Sequence, residues 1–377
     1  MADENGTVRR SISQADVQSY SPVRYVMGNI EPLNEWLQDK PFVMKFVNGC
    51  FRGFGQPIFL SNPISGVVIL AALFVQNQWQ AINGILGLLT ALFTAILLRL
   101  DRAGIEDGSI AFNGLLVGLH IPLFSAAGDW YGYLVFAVIL YSALSTLLAS
   151  GLGNLCGQWT LPAFNLSFNI TLLMYIAGTG SSNAHFPTHT VSPSTALEMW
   201  GVRSLDWAEV LQGIPKGIGQ CYGCDDVITG SLIALAMLIS SPIIFLHGVL
   251  GSLLGVFTGM ALAAPPASIY AGAWGPNSVL PCASIGGFFY VLTIESHLLA
   301  WFAAICGALV SAGMGGLLAS VGLPAAAFPF CFVSSMCLLI NSTSRSLIRV
   351  PLESLTYPED HRRKLRPNLV TSHGIIT

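Results

Sequence analysis

Two glutamines occur in the same short context at two distant places in the chain. Gln56 ends the segment RGFGQ at 52–56, and Gln220 ends KGIGQ at 216–220. A carboxamide offers N–H donors and an acceptor oxygen without a charge, so it can bind a polar neutral molecule where a carboxylate would attract cations. The adjacent glycines let backbone approach other backbone or a substrate. A purely structural use remains open, in which the glycines pack helices and each glutamine bonds a neighbouring helix.

A second pair of matching segments contains a Leu-Pro step. The first begins at Leu161 and the second at Leu323. Proline interrupts helical hydrogen bonding and frees a carbonyl of the preceding turn, so each segment could present acceptors for N–H donors. The segments differ at one candidate position, because Asn165 can bond to a polar molecule whereas Ala327 cannot. An ordinary helix start is the alternative explanation for each proline.

The matching register extends over most of the chain. At an offset of 164 it pairs Gly66 with Gly230, Gly84 with Gly248, Gly87 with Gly251, Asn113 with Asn277 and Leu116 with Leu280. The Leu-Pro segments match at an offset of 162. A register that persists over this length predicts two homologous halves.

The composition is that of a membrane protein. Of 377 residues, 53% are hydrophobic and 9% charged, whereas soluble domains carry about 25% charged residues. The mean hydropathy is +0.65. These values predict an all-α polytopic protein whose surroundings are membrane lipid. A net charge of −3 gives no broad basic surface, so we expect no nucleic-acid partner.

Each half contains six apolar segments, several of them interrupted by Gly or Pro. They cover about 41–60, 64–76, 82–99, 109–125, 131–149 and 161–179, and then about 206–222, 228–245, 246–264, 277–293, 297–319 and 323–341. A full span needs about 20 apolar residues, and short broken segments at matching places indicate discontinuous helices. We therefore predict five transmembrane helices and one re-entrant half-helix per half. The expected divisions are 1–40, 41–180, 181–205, 206–342 and 343–377.

Positive charge predicts the orientation of the halves. Arg99 and Arg102 flank one loop, and the carboxy-terminal tail carries further arginines, which places both on the cytoplasmic side. The equivalent loop at 263–266 is uncharged. This difference favours inverted halves with a central pore, a cytoplasmic arm at 1–40, a cytoplasmic tail at 343–377 and an extracellular loop at 181–205.

Other chemistry has weaker support in the sequence. Cys221 and Cys224 have the spacing of a metal pair, but no second ligand pair follows. Glu295 and His297 fit a span boundary better than a proton relay. We find neither a nucleotide-binding loop of the Walker type nor a nucleophile–base pair. The expectation is a protein that is not an enzyme and that uses no metal or cofactor.

The duplicated motifs resemble those of the vertebrate urea transporters. The resemblance rests on GFGQ at 53–56, GQCYGCD at 219–225, SSP at 240–242 and the two Leu-Pro segments, and it covers about 40–360. It implies a homotrimer in the plasma membrane, with both termini cytoplasmic. Each protomer would hold one pore between two inverted five-helix halves, each with a tilted re-entrant helix.

The resemblance also implies roles for individual residues. Gln56 and Gln220 correspond to paired filter residues. The walls of the apolar slots correspond to Phe59, Phe112, Leu116 and Leu280. The family pattern has a threonine in each Leu-Pro segment, where this chain has Asn165 and Ala327, and a proline where it has Ser167.

The function we predict is passive, channel-like facilitated diffusion of urea through a narrow selectivity filter. A flat neutral molecule needs aligned hydrogen-bonding groups and walls that exclude hydrated ions. Because the two threonine positions differ, a channel for another small neutral solute, such as water, ammonia or a urea analogue, remains an alternative. An ion-coupled secondary transporter and an intramembrane enzyme are less favoured.

Overall fold

The computed structural model describes residues 25–125, 128–180, 182–186, 191 and 205–365. These residues form helices joined by turns, with an isolated bridge between Tyr290 and Arg349. The helices are α1 Glu31–Leu37, α2 Phe42–Gly55, α3 Pro63–Gln76, α4 Gln78–Leu97, α5 Arg102–Glu106, α6 Phe112–Phe124, α7 Leu134–Gly157, α8 Leu166–Thr179, α9 Trp207–Gly219, α10 Val227–Ser240, α11 Pro242–Ala261, α12 Pro266–Tyr270, α13 Pro276–Ala283, α14 Ile294–Ala319, α15 Phe328–Leu338 and α16 Pro358–Leu365.

The helices from α2 to α8 recur in the same order as α9 to α15. The starts of α3, α4 and α6 match those of α10, α11 and α13 in the register of the first repeat offset. The segment 42–58 is bent by 74° relative to α3, and the segment 207–222 is bent by 74° relative to α10. Left-handed backbone recurs as well, since Phe164 and Ala326 both have φ 47°. The duplication read from the sequence is therefore also present in the backbone.

Matching side-chain caps begin matching helices. Asn62 accepts hydrogen bonds from the first turn of α3, and Asp226 accepts one from Thr229 in α10. Asn77 and Ser241 cap α4 and α11 in the same way. Such caps satisfy amide groups that have no partner within the helix.

The boundary between α10 and α11 differs from the sequence expectation. The hydropathy pattern divides the apolar run near 245–246, but α10 ends at Ser240 and α11 begins at Pro242. Ser241 accepts the amide of Ile244, and Pro242 has no N–H to leave unsatisfied at the first helical position. Hydropathy does not detect this break because both helices are apolar.

Within the described residues, four helices are long and apolar enough to cross a membrane, namely α4, α7, α11 and α14. The two bent pairs would add two more crossings, and α6, α8 and α15 are shorter apolar helices. Large apolar side chains are exposed along the long helices, including Leu97, Phe136 and Phe302. Such an outer surface suits lipid, because helices satisfy their backbone groups internally.

The halves meet where α3 packs against its counterpart α10. Ser65 on α3 donates a hydrogen bond to the carbonyl of Ala236 on α10 at 2.7 Å. The hydroxyl of Tyr222 donates to the carbonyl of Phe54 at 2.7 Å, which also joins the halves. The first bond joins α3 to α10, and the second holds the first re-entrant segment against the turn that follows α9.

Glycine permits the close crossing within each bent pair. A Cβ atom on Gly66 would overlap the carbonyl oxygen of Phe51, and one on Gly230 would overlap that of Pro215. The two contacts are equivalent in the repeat register. A side chain at either position would force the bent pair apart.

We expect Gly66→Ala and Gly230→Ala to destabilise the purified protein by about 1–3 kcal/mol each, the effect of overpacking a tight contact. Thermal unfolding in detergent measures the change. Gly151→Ala is the matched control, since no atom lies within 4 Å of a Cβ there. Equal melting temperatures for all three variants would contradict the assigned role of the two crossings.

Candidate permeation site

Each glutamine lies in a short 3-10 turn at the end of a re-entrant helix, with its side chain half-buried. The Nε2 of Gln56 donates to the carbonyl oxygen of Asp107 at 2.9 Å. The Nε2 of Gln220 donates to the carbonyl oxygen of Ala271 at 3.0 Å. Asp107 and Ala271 are themselves a matched pair in the repeat register. The two amides are thus oriented by equivalent backbone groups.

This orientation leaves an acceptor free on each amide. Neither Oε1 accepts a hydrogen bond from a residue within the described ranges, and one N–H of each amide is also unused. A fixed, uncharged acceptor is suited to N–H groups of a small molecule. Each glutamine therefore makes one structural hydrogen bond and keeps further hydrogen-bonding groups available to a ligand.

The motif glycines are used for packing. A Cβ on Gly55 would overlap the carbonyl of Leu60, and one on Gly219 would overlap the carbonyl of Cys224. Of the two roles open from sequence, close approach to backbone is the one observed. The tight turn that results places each glutamine at the end of its helix.

A cavity of about 980 Å³ opens beside the first re-entrant helix. Among the eight residues predicted for the site, four line this cavity: Gln56, Phe59, Phe112 and Asn165. The other four are not on its wall: Gln220, Leu116, Leu280 and Ala327. The structure therefore gathers four of the five predicted residues of the first half around one space, and Leu116 is the exception.

Phe59 belongs to a group of aromatic rings. Its backbone has φ 65°, a strained conformation for a residue with a side chain, and its repeat counterpart is Gly223 with φ 72°. The Phe59 ring lies 5.0 Å from that of Phe288 and 6.1 Å from that of Phe330, centroid to centroid. These contacts stabilise the left-handed conformation and hold the ring at the cavity wall.

The carboxy-terminal segment supports this aromatic group. His361 is buried, and its Nδ1 lies 3.1 Å from the carbonyl oxygen of Gly287, the residue before Phe288. Its Nε2 accepts the amide of Thr356 at 2.9 Å, which requires a neutral ring. Burial lowers the pKa of His361, although the bond to Gly287 opposes this effect. The tail is therefore packed against the backbone that carries one cavity ring.

The two predicted leucines are buried in different apolar clusters. Leu116 packs in a cluster with Phe168, beside Phe112 and Ala327. Leu280 belongs to the larger cluster against which Phe59 packs. Neither leucine reaches the cavity wall.

Asn165 and Ala327 occupy equivalent places, each preceding the first turn of a short helix. Asn165 is 5% exposed, and its side-chain amide makes no hydrogen bond to the described residues. The backbone amide of Ala327 donates to Oδ1 of Asn169 at 2.8 Å. This link joins the halves, and the sequence analysis missed it because a side chain's partner cannot be read from one chain position.

Arg52 and Lys216 are equivalent in sequence but have different surroundings. The Arg52 guanidinium is buried and donates to the carbonyl of Ser61 at 2.6 Å and to Oδ1 of Asn34 at 2.7 Å. The Lys216 ammonium is 3.6 Å from the carboxylate of Glu209. Arg52 thus fixes the turn after Phe59, whereas Lys216 forms a partly exposed ion pair.

His247 on α11 and His297 on α14 form a hydrogen-bonded pair in the second half. Nε2 of His247 lies 3.0 Å from Nδ1 of His297, and Trp301 donates to Nε2 of His297 at 3.1 Å. Nδ1 of His247 faces the carbonyl of Ile243 at 2.8 Å. Each ring nitrogen of the two histidines therefore has a hydrogen-bond partner when both imidazoles are neutral. Glu295 is exposed in the first turn of α14, as a span boundary requires.

No cluster of three or more His, Cys, Asp or Glu side chains that could hold a metal is found within the described ranges. Cys221 and Cys224 are buried thiols, and their segment instead positions Tyr222 against Phe54. The arrangement offers hydrogen-bonding amides, aromatic walls and buried apolar side chains. It can bind a small, polar, uncharged molecule by hydrogen bonds and apolar contacts, without forming a covalent bond.

Comparison with known proteins agrees with this geometry. The profile of the family described as "Urea transporter" matches residues 47–342. The protein named urea transporter 1 of Ovis aries is 40% identical over 338 residues, which cover 90% of this chain and 88% of that relative. Its counterpart of Rattus norvegicus is 41% identical with the same coverage. This chain belongs to the urea transporter family.

Proposed function

We propose that the chain mediates facilitated diffusion of urea across a membrane through a passive, channel-like path. The observation that carries this proposal is the matched pair of glutamine amides, each held by a repeat-equivalent carbonyl with its Oε1 unused. Membership of the urea transporter family and relatives named for urea transport support urea as the solute. No enzymatic activity is proposed.

The site would act by replacing the hydration of urea. Urea is flat and uncharged, and its N–H groups would donate to Oε1 of Gln56 and then of Gln220. Phe59 and Phe112 at the cavity wall, with Leu116 and Leu280 deeper in the clusters, would exclude a hydrated ion because they offer it no ligands. An ion stripped of water in such surroundings is unfavourable by several kcal/mol.

The family relationship favours urea over the alternative solutes. Water and ammonia would need fewer hydrogen-bonding groups than this path provides. Asn165 and Ala327 are proposed to tune which small amide passes, since they contribute an amide on one side and a methyl group on the other.

The membrane arrangement is also a proposal. We place the protein in the plasma membrane as a homotrimer surrounded by lipid, with residues 1–40 and 343–377 cytoplasmic and 181–205 extracellular. Residues 41–180 and 206–342 would form the two inverted repeats. The uncharged turn at 263–266, opposite in character to the charged one at 99–102, supports the inversion.

Gln56→Ala and Gln220→Ala should each lower urea flux by about tenfold, because each removes a hydrogen bond to the solute. Radiolabelled urea uptake into proteoliposomes, normalised to reconstituted protein, measures this. Gln158→Ala is the control, since Gln158 is exposed after α7 and does not line the cavity. Wild-type flux in both test variants would remove the glutamines from the path.

Ala327→Thr should raise the flux of urea relative to methylurea by about threefold, because a hydroxyl adds an acceptor for N–H groups. Competition between the two solutes in the same vesicles gives the ratio. Ala327→Val introduces the shape of threonine without its hydroxyl, and so separates volume from hydrogen bonding. An unchanged ratio in the threonine variant would exclude this position from selectivity.

Inverted halves predict opposite accessibility for equivalent turns. Pro265→Cys should react with an impermeant maleimide added to intact cells, whereas Asp101→Cys should react only after permeabilisation. The unsubstituted chain, which contains eight free cysteines, gives the background. Labelling of both variants from the same side would show that the halves are not inverted.

A further inference from the structure

Asn113 is a buried amide on the cavity wall that the predicted filter does not include. It lies on α6 next to Phe112, is 4% exposed and lines the cavity. Its Oδ1 accepts the backbone amide of Phe168 at 3.4 Å. Because that partner is a donor, Oδ1 must face it and Nδ2 must point elsewhere. Nδ2 makes no hydrogen bond to any residue in the described part of the chain.

Asn277, the repeat counterpart of Asn113, is an amide with a purely structural role. Oδ1 of Asn277 accepts the amide of Phe330 at 3.1 Å, which matches the Asn113 bond. Its Nδ2 donates to Oγ of Ser311 at 3.1 Å and to the carbonyl of Ala326 at 2.9 Å. Every hydrogen-bonding group of Asn277 is therefore used within the protein.

One of the two acceptors that Asn277 uses has no counterpart in the first half. At the offset of 162 that holds in this part of the repeat, Ser311 corresponds to Ala149, which also lines the cavity. A methyl group there cannot accept the Nδ2 hydrogen. Nδ2 of Asn113 therefore has no partner within the described residues, and its place on the cavity wall leaves it open to a ligand.

We propose that Nδ2 of Asn113 donates a hydrogen bond to the carbonyl oxygen of the permeating molecule and so determines selectivity. The inference rests on the proposed function. The glutamine Oε1 atoms can bind the N–H groups of urea, and its carbonyl oxygen needs a hydrogen-bond donor as well. Asn113 supplies that donor at the same cavity, beside the helix that begins after Asn165. The site thereby recognises planar amides that present both N–H groups and a carbonyl.

The test compares urea with thiourea, whose sulfur is a much weaker hydrogen-bond acceptor. In proteoliposomes containing the full chain, Asn113→Ala should lower urea flux by about fivefold and leave thiourea flux nearly unchanged. Ala149→Ser keeps Asn113 and offers it the acceptor that its counterpart has. This variant should lower the ratio of urea to thiourea flux in the same direction, to a smaller extent because one N–H stays available.

Asn277→Ala is the matched control within the same chain. It should lower the melting temperature and leave the ratio of urea to thiourea flux at the wild-type value. The proposal is overturned if Asn113→Ala keeps the wild-type ratio, or if it lowers urea, thiourea and water flux in parallel. Failure of the proposed function is distinguishable, since the unsubstituted protein would then show no urea flux above empty vesicles.

Discussion

Both glutamine amides depend on a hydrogen bond to a backbone carbonyl in the turn that follows a short helix. The bonds from Gln56 to Asp107 and from Gln220 to Ala271 require each re-entrant helix to touch that turn. Glycine makes the contact possible, because a Cβ on Gly108 or Gly272 would overlap the backbone of the facing helix. This contact therefore fixes the orientation of both glutamine side chains at the ends of the re-entrant helices.

The two halves have matching backbones but different side chains at several equivalent positions around the cavity. In the repeat register Phe59 corresponds to Gly223 and Phe112 to Pro276, and the later register of the Leu-Pro segments pairs Asn165 with Ala327. The first half therefore supplies the predicted aromatic and amide groups at the cavity, to which the second half adds Phe288 and Phe289. Close backbone contacts at matched glycines recur in both halves, whereas the side chains at these cavity positions differ between the halves. Selectivity can then change without loss of the fold.

The segments outside the repeats belong to the folded unit. The backbone amide of Gly28 donates to the carbonyl of Ser240 at 2.8 Å, and Ser241 donates to the carboxylate of Glu359 at 2.8 Å. The segments that flank the repeats therefore meet at the junction between α10 and α11. Through His361 the carboxy-terminal segment also reaches the backbone beside Phe288. The aromatic rings at the cavity wall are thus supported both by the membrane-embedded helices and by the carboxy-terminal segment.

The sequence by itself determined the membrane class, the duplication and the glutamine pair, because hydropathy, a constant repeat offset and a repeated motif are visible along one chain. It also contained the match between Asn113 and Asn277, but not the difference between them. That difference depends on Ser311 and Ala149, which lie far from either asparagine in sequence. Tertiary structure alone decided which amides are satisfied, which predicted residues reach the cavity, and where α10 gives way to α11. The reason is physical: a hydrogen-bond partner is chosen by distance and direction in the folded chain, and residue type sets only what can be donated or accepted.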